Sequence, residues 1–467
     1  MDEFLRDIHT SIFKQWILSQ KTENYDIALD PNRDNVIVIK TKYSYSEVIF
    51  NEMNIIELSV KNLTNEEVEF YLHFQMKTMK HAVELFYEML ESIKKLIDKP
   101  IMKILLSCSG GLTTSYFASK MNEAAKLLFL DYKVDAIGYN ELFNVGDQYD
   151  VIMLAPQISY MHAKVQEILK NQIVLKIPSA VFAKYDVGKT LSIIIEARRE
   201  KKEKQVQEEK PLSLKTAHHH DTKILCLSLI RNSERVHIAY RLYDENNQIL
   251  LDNEIIKIRM SYQDIFDIID TIIIQYSDIK IIGLSTPGII NNGYIYSTNV
   301  NGLDNVNLYE KFKEKYNQKL IISNDVNAVA VGYYASQDRY SSLSFLFQPI
   351  SYYGGVGNIV GGKLLQGHFH IAGEVQYLPL ALSDDKLVLN KTPEGALELV
   401  AKTLVSVISL LGPELIVYCC GLIPQIDELK KEIEKSIPKE YIPDIVKIDY
   451  LQNYILLGQM ILCAQSI

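Results

Sequence analysis

Between residues 101 and 197, strand-like apolar runs and helix-periodic runs alternate, with two strand-like runs in succession only at YKVDAIG and YDVIMLAP. IMKILLS is followed by SYFASKMNEAAKLL, YKVDAIG, YDVIMLAP, a helical stretch around MHAKVQEILK, IVLKIP and VGKTLSIIIEARR. Strand, crossover helix and strand in this order commit a segment to a parallel sheet with right-handed connections. The spacing therefore predicts a four-stranded parallel α/β domain over 101–197. Phe117, Met121, Ala124, Ala125 and Leu128 recur at helical spacing, so the first helix is expected to pack on the sheet through one face.

The flanks follow other patterns. Residues 35–73 carry short β-type runs, NVIVIKTKY, SEVIF, NIIELSV and VEFYLHFQ, and then a helix with Ala82, Leu85, Phe86, Met89, Leu90 and Ile93 on one face. Residues 1–99 hold no chemical constellation and are expected to form a small α+β module for packing or partner binding. Residues 198–221, RREKKEKQVQEEKPLSLKTAHHHD, are charged and poor in apolar residues, which predicts a linker. Its three histidines lack Cys or acidic companions at ligand spacing, so no metal is expected there. Residues 222–467 open with a three-strand meander, TKILCLSLI, RVHIAYRLY and ILLDNEIIKI. Helices and strands then alternate, as a two-lobed α/β domain with a cleft would require. A chain of 467 residues is too long for one core, which agrees with several domains.

Composition narrows the class further. A net charge of −9 argues against non-specific nucleic-acid binding. Five scattered cysteines argue for a reducing compartment and against a disulfide scaffold. MDEFLRDIHTSIFKQW has no secretory apolar region, and runs such as 404-LVSVISLLG-412 fall short of the roughly 20 residues of a membrane span. A soluble cytoplasmic protein is expected.

The first strand of the alternating segment ends in Cys108, and the turn after it reads Ser109-Gly110-Gly111-Leu112-Thr113-Thr114-Ser115. A thiol there stands at the carboxyl end of a parallel strand, where open α/β sheets bind ligands. The glycines let backbone N–H groups converge, and the helix N-terminus adds partial positive charge, which suits phosphate and favours the thiolate. A tyrosine-phosphatase loop needs Cys-x5-Arg to grip the phosphoryl oxygens bidentately, and Thr114 stands in that place. A thioredoxin-like site needs Cys-x-x-Cys, and position 111 is glycine. What remains is a cysteine that accepts a phosphoryl group and hands it on. Gly188-Lys189-Thr190 has part of a nucleotide-binding signature, but its required first glycine is Ala183, so no nucleotide is expected there.

The stretch Cys108-Ser-Gly-Gly-Leu-Thr-Thr-Ser115 resembles the phosphocysteine loop of enzyme IIB of the bacterial sugar phosphotransferase system (PTS), lactose/cellobiose type, which runs close to Cys-Ala-Ala-Gly-Met-Ser-Thr-Ser. YDVIMLAPQISYM at 149–161 matches a second segment of that family in register and spacing, and the resemblance covers essentially all of 102–197. It implies that Cys108 is the catalytic residue, receiving phosphate from a histidine of enzyme IIA. Ser109, Gly110, Gly111, Thr113, Thr114 and Ser115 would hold the phosphoryl group, and a separate membrane enzyme IIC would take it onward.

The C-terminal part carries a second pattern. In 281-IIGLSTPGIINNGYIYSTNVNGLDNVNLYEKF-312 a strand runs into Pro-Gly and an Asn-rich turn. Next, 319-KLIISNDVNAVAVGYY-334 is a strand ending in Asn324-Asp325, and 352-YYGGVGNIVGGKLLQGHFHIAGEV-375 is rich in glycine before Glu374. A carboxylate at a strand end, facing glycine loops across a cleft, suits phosphorylation of a sugar hydroxyl. These segments, followed by LGPELIVYCCG, resemble in order those of the ROK family (repressors, open reading frames, sugar kinases), a branch of the actin-like ATPase fold. The resemblance implies that Asn299, Asn324, Asp325 and Glu374 contact a sugar, with Asp325 the general base of an active kinase.

Departures from the family are as informative. Its first phosphate loop, Asp-x-Gly-Gly-Thr, is replaced by Ser228-Leu229-Ile230-Arg231-Asn232. Its Glu-x-Gly-His becomes Glu374-Val375-Gln376-Tyr377, without the zinc-binding histidine. Its cysteine-rich zinc loop is missing, since no cysteine lies between 226 and 419, and Cys419-Cys420 replace two glycines. Loss of the phosphate-loop donors removes a large part of transition-state stabilisation. The expectation is an α/β multidomain protein: an N-terminal α+β module, a IIB-like domain, and a two-lobed actin-like domain over 222–467. The last is expected to be a degenerate kinase that senses a sugar or sugar phosphate without metal or cofactor, and to be homodimeric. An active sugar kinase and a sugar-responsive transcriptional regulator are the alternatives. DNA is not an expected partner, because the helical ends of the first hundred residues carry few basic side chains.

Overall fold

The computed structural model describes residues 2–20, 25–63, 66–97, 102–110, 112–127, 132–169, 172–207, 220–231, 235–276, 278–296, 300, 302–423 and 425–466. The chain divides into two compact units, Ile97–Lys210 and the combination of Met1–Leu96 with Pro211–Ile467. Among the described residues no helix is long and apolar enough to cross a membrane.

In the unit Ile97–Lys210, four parallel strands lie in the order Tyr132–Gly138, Met102–Cys108, Val151–Leu154, Ile173–Lys176. Alternation along Met102–Cys108 explains why both faces are covered. Ile104, Leu106 and Cys108 join a core with Phe117, Met121 and Ile194, whereas Leu105 joins Leu142, Ile152 and Val165 on the other face. Strand order reverses around Met102–Cys108, so its carboxyl end is a topological switch point of the kind that binds ligands in open α/β sheets. The outer edge at Val134 is closed by the Asn122 side chain, which accepts from its N–H at 2.9 Å and donates to its C=O at 2.7 Å. The last helix, Val187–Gln207, runs ten residues into the stretch expected as a linker at 198–221. Residues 208–219 of that stretch lie outside the described residues.

The other unit holds a ten-stranded sheet in the order Asp26–Asp30, Arg33–Lys40, Ser44–Phe50, Ile55–Asn62, Val68–Gln75, Ile249–Lys257, Val236–Tyr243, Lys223–Arg231, Ile279–Thr286, Lys319–Asn324. Of residues 1–99, expected as a module of their own, Met1–Leu96 share one compact unit with the C-terminal segment. Val68–Gln75 pairs antiparallel with Ile249–Lys257, with Tyr71 opposite Ile256. Buried polar contacts reinforce the seam. The ring nitrogens of His73 lie 2.7 Å from the Tyr240 hydroxyl and 2.9 Å from that of Thr271. Lys257, almost wholly buried, is paired with both Glu88 and Asp264, and Lys77 with Asp267 and Asp270. Buried charges are tolerated only when paired in this way. No local periodicity could reveal the joint, because its partners stand 167 and 198 residues apart in the His73 contacts.

A second sheet, in the order Lys363–Leu364, Gly355–Val360, Leu343–Phe347, Leu415–Cys419, Asp444–Lys447, builds the other lobe. Between the two sheets pack the helices Asp325–Ala335 and Gln452–Ala464, whose Val329, Leu456 and Met460 share one core with Ile224, Ile281, Phe345 and Val417. A helix buried on all sides is apolar all round, and Val326–Gly332 is an unbroken buried run. The two helices cross closely enough that a Cβ on Gly332 would stand 2.0 Å from the Tyr454 carbonyl oxygen, and one on Gly458 1.8 Å from that of Ala328.

Candidate functional site

Cys108 closes its strand opposite Gly138, and the helix Leu112–Leu127 begins after a short turn. The cysteine is only 4% exposed. Its Sγ lies 3.2 Å from Oγ1 of Thr114, a fully buried residue in the helix's first turn. Ser109, Gly110, Thr113 and Ser115 are exposed around this pair. No atom lies within 4 Å of a Cβ built on Gly110, so the approach to the turn is open on that side. Gly111 lies outside the described residues. Beside the loop, an open cleft of about 530 Å³ is lined by Ser115, Ser119, Asn122, Glu123 and Asp135. Sequence reasoning missed it, because it forms only when the helix and the edge strand meet.

Two other motifs are committed elsewhere. The amides after Gly188 are capped by Asp186, whose Oδ1 accepts from Lys189 N at 3.0 Å, while the Thr190 hydroxyl donates to the Asp186 carbonyl at 2.8 Å. His220 is buried between the Thr222 carbonyl, 2.7 Å away, and Asn247 Oδ1, 3.0 Å away; His218 and His219 lie outside the described residues.

In the larger unit, Asn324 ends the strand Lys319–Asn324 and caps the following helix. Its Oδ1 accepts from Asn327 N at 3.3 Å, and its Nδ2 donates to the Gly288 carbonyl at 2.9 Å. Asp325, the first helical residue, is half-buried, and its Oδ1 accepts from Val326 N at 2.9 Å. Burial pushes its carboxyl up to about 7, with the negative charge of Glu374 adding to the effect. Glu374 is itself raised by burial, against the opposing hydrogen bond from Gln376 Nε2 at 3.0 Å. Gly373 must be glycine: its φ is +93°, and a Cβ there would lie 1.8 Å from the Val356 carbonyl oxygen. The fold thus brings Asn324, Asp325 and Glu374 together, while Asn299 lies outside the described residues.

On the side where a nucleotide would bind, Lys223–Arg231 pairs with Val236–Tyr243 as far as Arg231 opposite Val236. Residues 228–231 are therefore regular strand, paired along one edge as far as Arg231 and along the other as far as Ser228. The connection between Phe347 and Gly355 is folded on itself. Gln348, nearly buried, donates to the Pro349 carbonyl at 3.2 Å and to the Tyr352 carbonyl at 3.0 Å. Asn390 Nδ2 donates to that same Tyr352 oxygen at 2.6 Å, and its Oδ1 accepts from Ser351 N at 3.1 Å. Cys420 is core, and burial pushes the neighbouring Cys419 thiol up to about 12.

A zinc ion of the kind the ROK resemblance implies does not fit these side chains. Tyr377 stands exposed at the histidine position, and among the described residues no three His, Cys, Asp or Glu side chains are grouped as a metal site requires.

The chain thus presents a thiol at a parallel-sheet switch point in one unit and a pair of carboxyls raised by burial in the other. The family model "PTS system, Lactose/Cellobiose specific IIB subunit" matches residues 103–191, and that of the "ROK family" matches 235–396. The chain belongs to the lactose/cellobiose IIB family through the first segment, and its second segment is similar to the ROK family. It is similar to the PTS system oligo-beta-mannoside-specific EIIB component of Bacillus subtilis (strain 168), with 31% identity over 65 residues, which is 14% of this chain and 63% of that one. The chain thus spans less than two thirds of that relative's length. With the galactose-specific EIIB component of Lactococcus lactis subsp. cremoris (strain MG1363) it shares 30% identity over 90 residues, 18% of this chain and 81% of the other. Among solved structures, a ROK family protein from Streptococcus pneumoniae TIGR4 in complex with sucrose covers 52% of this chain and 98% of its own, at 17% identity and a TM-score of 0.43.

Proposed function

We propose that Cys108 is a phosphoryl carrier and that the ROK-family unit is a sugar or sugar-phosphate sensor, the two serving carbohydrate uptake or its regulation in the cytoplasm. The observation that carries the first half is the Cys108–Thr114 pair, 3.2 Å apart at the start of a helix and at a sheet switch point. In the acceptor step the Cys108 thiolate attacks the phosphorus of a phosphohistidine on enzyme IIA. The S–P bond forms, the N–P bond breaks, and the proton given up by the Cys108 thiol on ionisation ends on the departing nitrogen, so that the imidazole leaves as the neutral ring. Amides of the turn and the hydroxyls of Thr113, Thr114 and Ser115 compensate the phosphoryl oxygens. The thiol is reached from the side of the exposed Ser109–Gly110 stretch. Discharge to a sugar hydroxyl, presented by a membrane enzyme IIC, would break the S–P bond and restore the thiolate.

The sensor reading rests on the nucleotide side. Ser228–Arg231 is regular strand in place of a glycine turn, and the loop 348–354 is folded onto the Gln348 carboxamide, so neither place has the form of a phosphate-binding loop. Asn324, Asp325 and Glu374 supply acceptors for sugar hydroxyls, and we assign Asn299 to the same set. A homodimer through this unit completes the proposal. The test is phosphoryl transfer from phosphorylated enzyme IIA: wild type is expected to label and Cys108→Ser to lose the acid-labile thiophosphate, and equal labelling of both overturns the carrier role.

One observation favours an active kinase instead. Asp325, pushed up to about 7, has the proton affinity of a general base at neutral pH. Sugar-dependent ADP release that disappears in Asp325→Asn would establish that reading.

A further inference from the structure

The turn after Glu374 is where a ROK-type zinc ion would be expected, and the donor set there does not suit zinc. The turn is nonetheless tightly held, by a different cation. Lys386 Nζ donates to three carbonyl oxygens of the one turn: Val375 at 3.2 Å, Gln376 at 2.7 Å and Leu378 at 2.8 Å. An ammonium carries three protons, so all are engaged. Lys386 is itself anchored as the first residue of the helix Lys386–Leu389, whose cap Asp385 accepts from Leu387 N at 2.8 Å. That short helix is pressed against the next, since a Cβ on Gly395 would stand 2.3 Å from the Leu389 carbonyl oxygen. On the other side of the turn, the Gln376 side chain donates to Glu374 Oε2 at 3.0 Å. Backbone and side chain of Gln376 therefore link Lys386 to the Glu374 carboxylate.

We propose that Lys386 is a positioning residue that stands in for the missing zinc, its ammonium clamping residues 375–378 so that Gln376 holds Glu374 in place for a sugar hydroxyl. This deepens the sugar-binding reading above and rests on it. The exchange is chemically reasonable. Carbonyl oxygens are poor partners for a borderline-soft ion that prefers thiolate and imidazole, but they suit a compact, strongly hydrated ammonium. Glu374 would then be aimed by a covalently attached cation, and ligand binding would not respond to chelators.

The test is calorimetric titration of the full chain with glucose, cellobiose and their 6-phosphates, with and without EDTA. EDTA is expected to change nothing. Lys386→Met is expected to weaken the binding probe at least tenfold, and Lys386→Arg to recover most of that loss. In a Glu374→Gln background, Lys386→Met should cost less than threefold further, because the two act in series; a purely structural lysine would cost the same in both backgrounds. Gln376→Met, which cuts the second link and leaves the clamp intact, supplies the same test should Lys386→Met not fold. Wild-type binding with unchanged affinity in Lys386→Met, losses that multiply independently, or affinity abolished by EDTA would overturn the role of Lys386 alone. Failure of the wild type to bind any probe overturns the sugar reading beneath it.

Discussion

The hydroxyl of Thr114 lies 3.2 Å from the thiol of Cys108, so the residue found where a phosphatase needs arginine is in direct contact with the thiol. A hydrogen bond to a charged group contributes about 1.5–3 kcal/mol, and this one strengthens as sulfur or phosphoryl oxygen gains charge. Thr114→Val, nearly isosteric, should slow phosphoryl acceptance by about 10- to 100-fold, and Thr114→Ser should largely restore it. Initial rates with phosphorylated enzyme IIA measure both.

Sugar binding at Asp325 should depend on pH. A hydroxyl donates to the carboxylate rather than to the protonated acid, so the ligand favours the ionised form. With the carboxyl pushed up to about 7, affinity should rise as pH is raised through 7 and fall below it. Asp325→Asn should bind more weakly and without this pH dependence, as titrations between pH 5.5 and 8.5 would show.

His73 predicts an acid limit on the larger unit. Burial between Tyr240 and Thr271 pushes it down to about 4, whereas the unfolded chain titrates near its ordinary value of 6.5. Its contribution to stability is present in full above about 6.5 and is lost as the pH falls through about 4. The loss is about 3 kcal/mol. Denaturant unfolding of His73→Gln, compared with wild type, should show a flatter profile across that range.

Two glycines should respond oppositely to a methyl group. Gly458→Ala places a Cβ 1.8 Å from the Ala328 carbonyl oxygen and should destabilise by about 3 kcal/mol, enough to lower Tm by several degrees. Gly110→Ala meets nothing within 4 Å and should leave stability within about 0.5 kcal/mol.

Much of the smaller unit was legible in the sequence. Phe117, Met121 and Ala125 turn one face of their helix to the core as their spacing predicts, Ala124 is half-buried, Leu128 lies outside the described residues, and Cys108 ends its strand where the apolar run stops. Contacts of this kind recur every three or four residues in a helix and every two in a strand, so the chain displays them locally. Ala82, Leu85, Phe86, Met89 and Ile93 lie on a buried face as expected, with Leu90 half-buried at its margin. The surface they bury against was not legible, because a stripe of apolar residues specifies that something covers it and not what.

By itself, then, the sequence determined the periodic elements, the thiol turn at Cys108 and the residues that stand at 228–232 and 374–377, all of which lie in short runs of neighbours. Tertiary structure alone decided that Val68–Gln75 continues the sheet through Ile249–Lys257, that Gln348 fills the loop it begins, and that the Lys386 ammonium finds the carbonyl oxygens after Glu374. Each of these satisfies a buried or strand-edge polar group with a partner that no repeat in the chain could announce. The cost of leaving such a group unpaired selects the partner, and that cost exists only once the surrounding chain has excluded water.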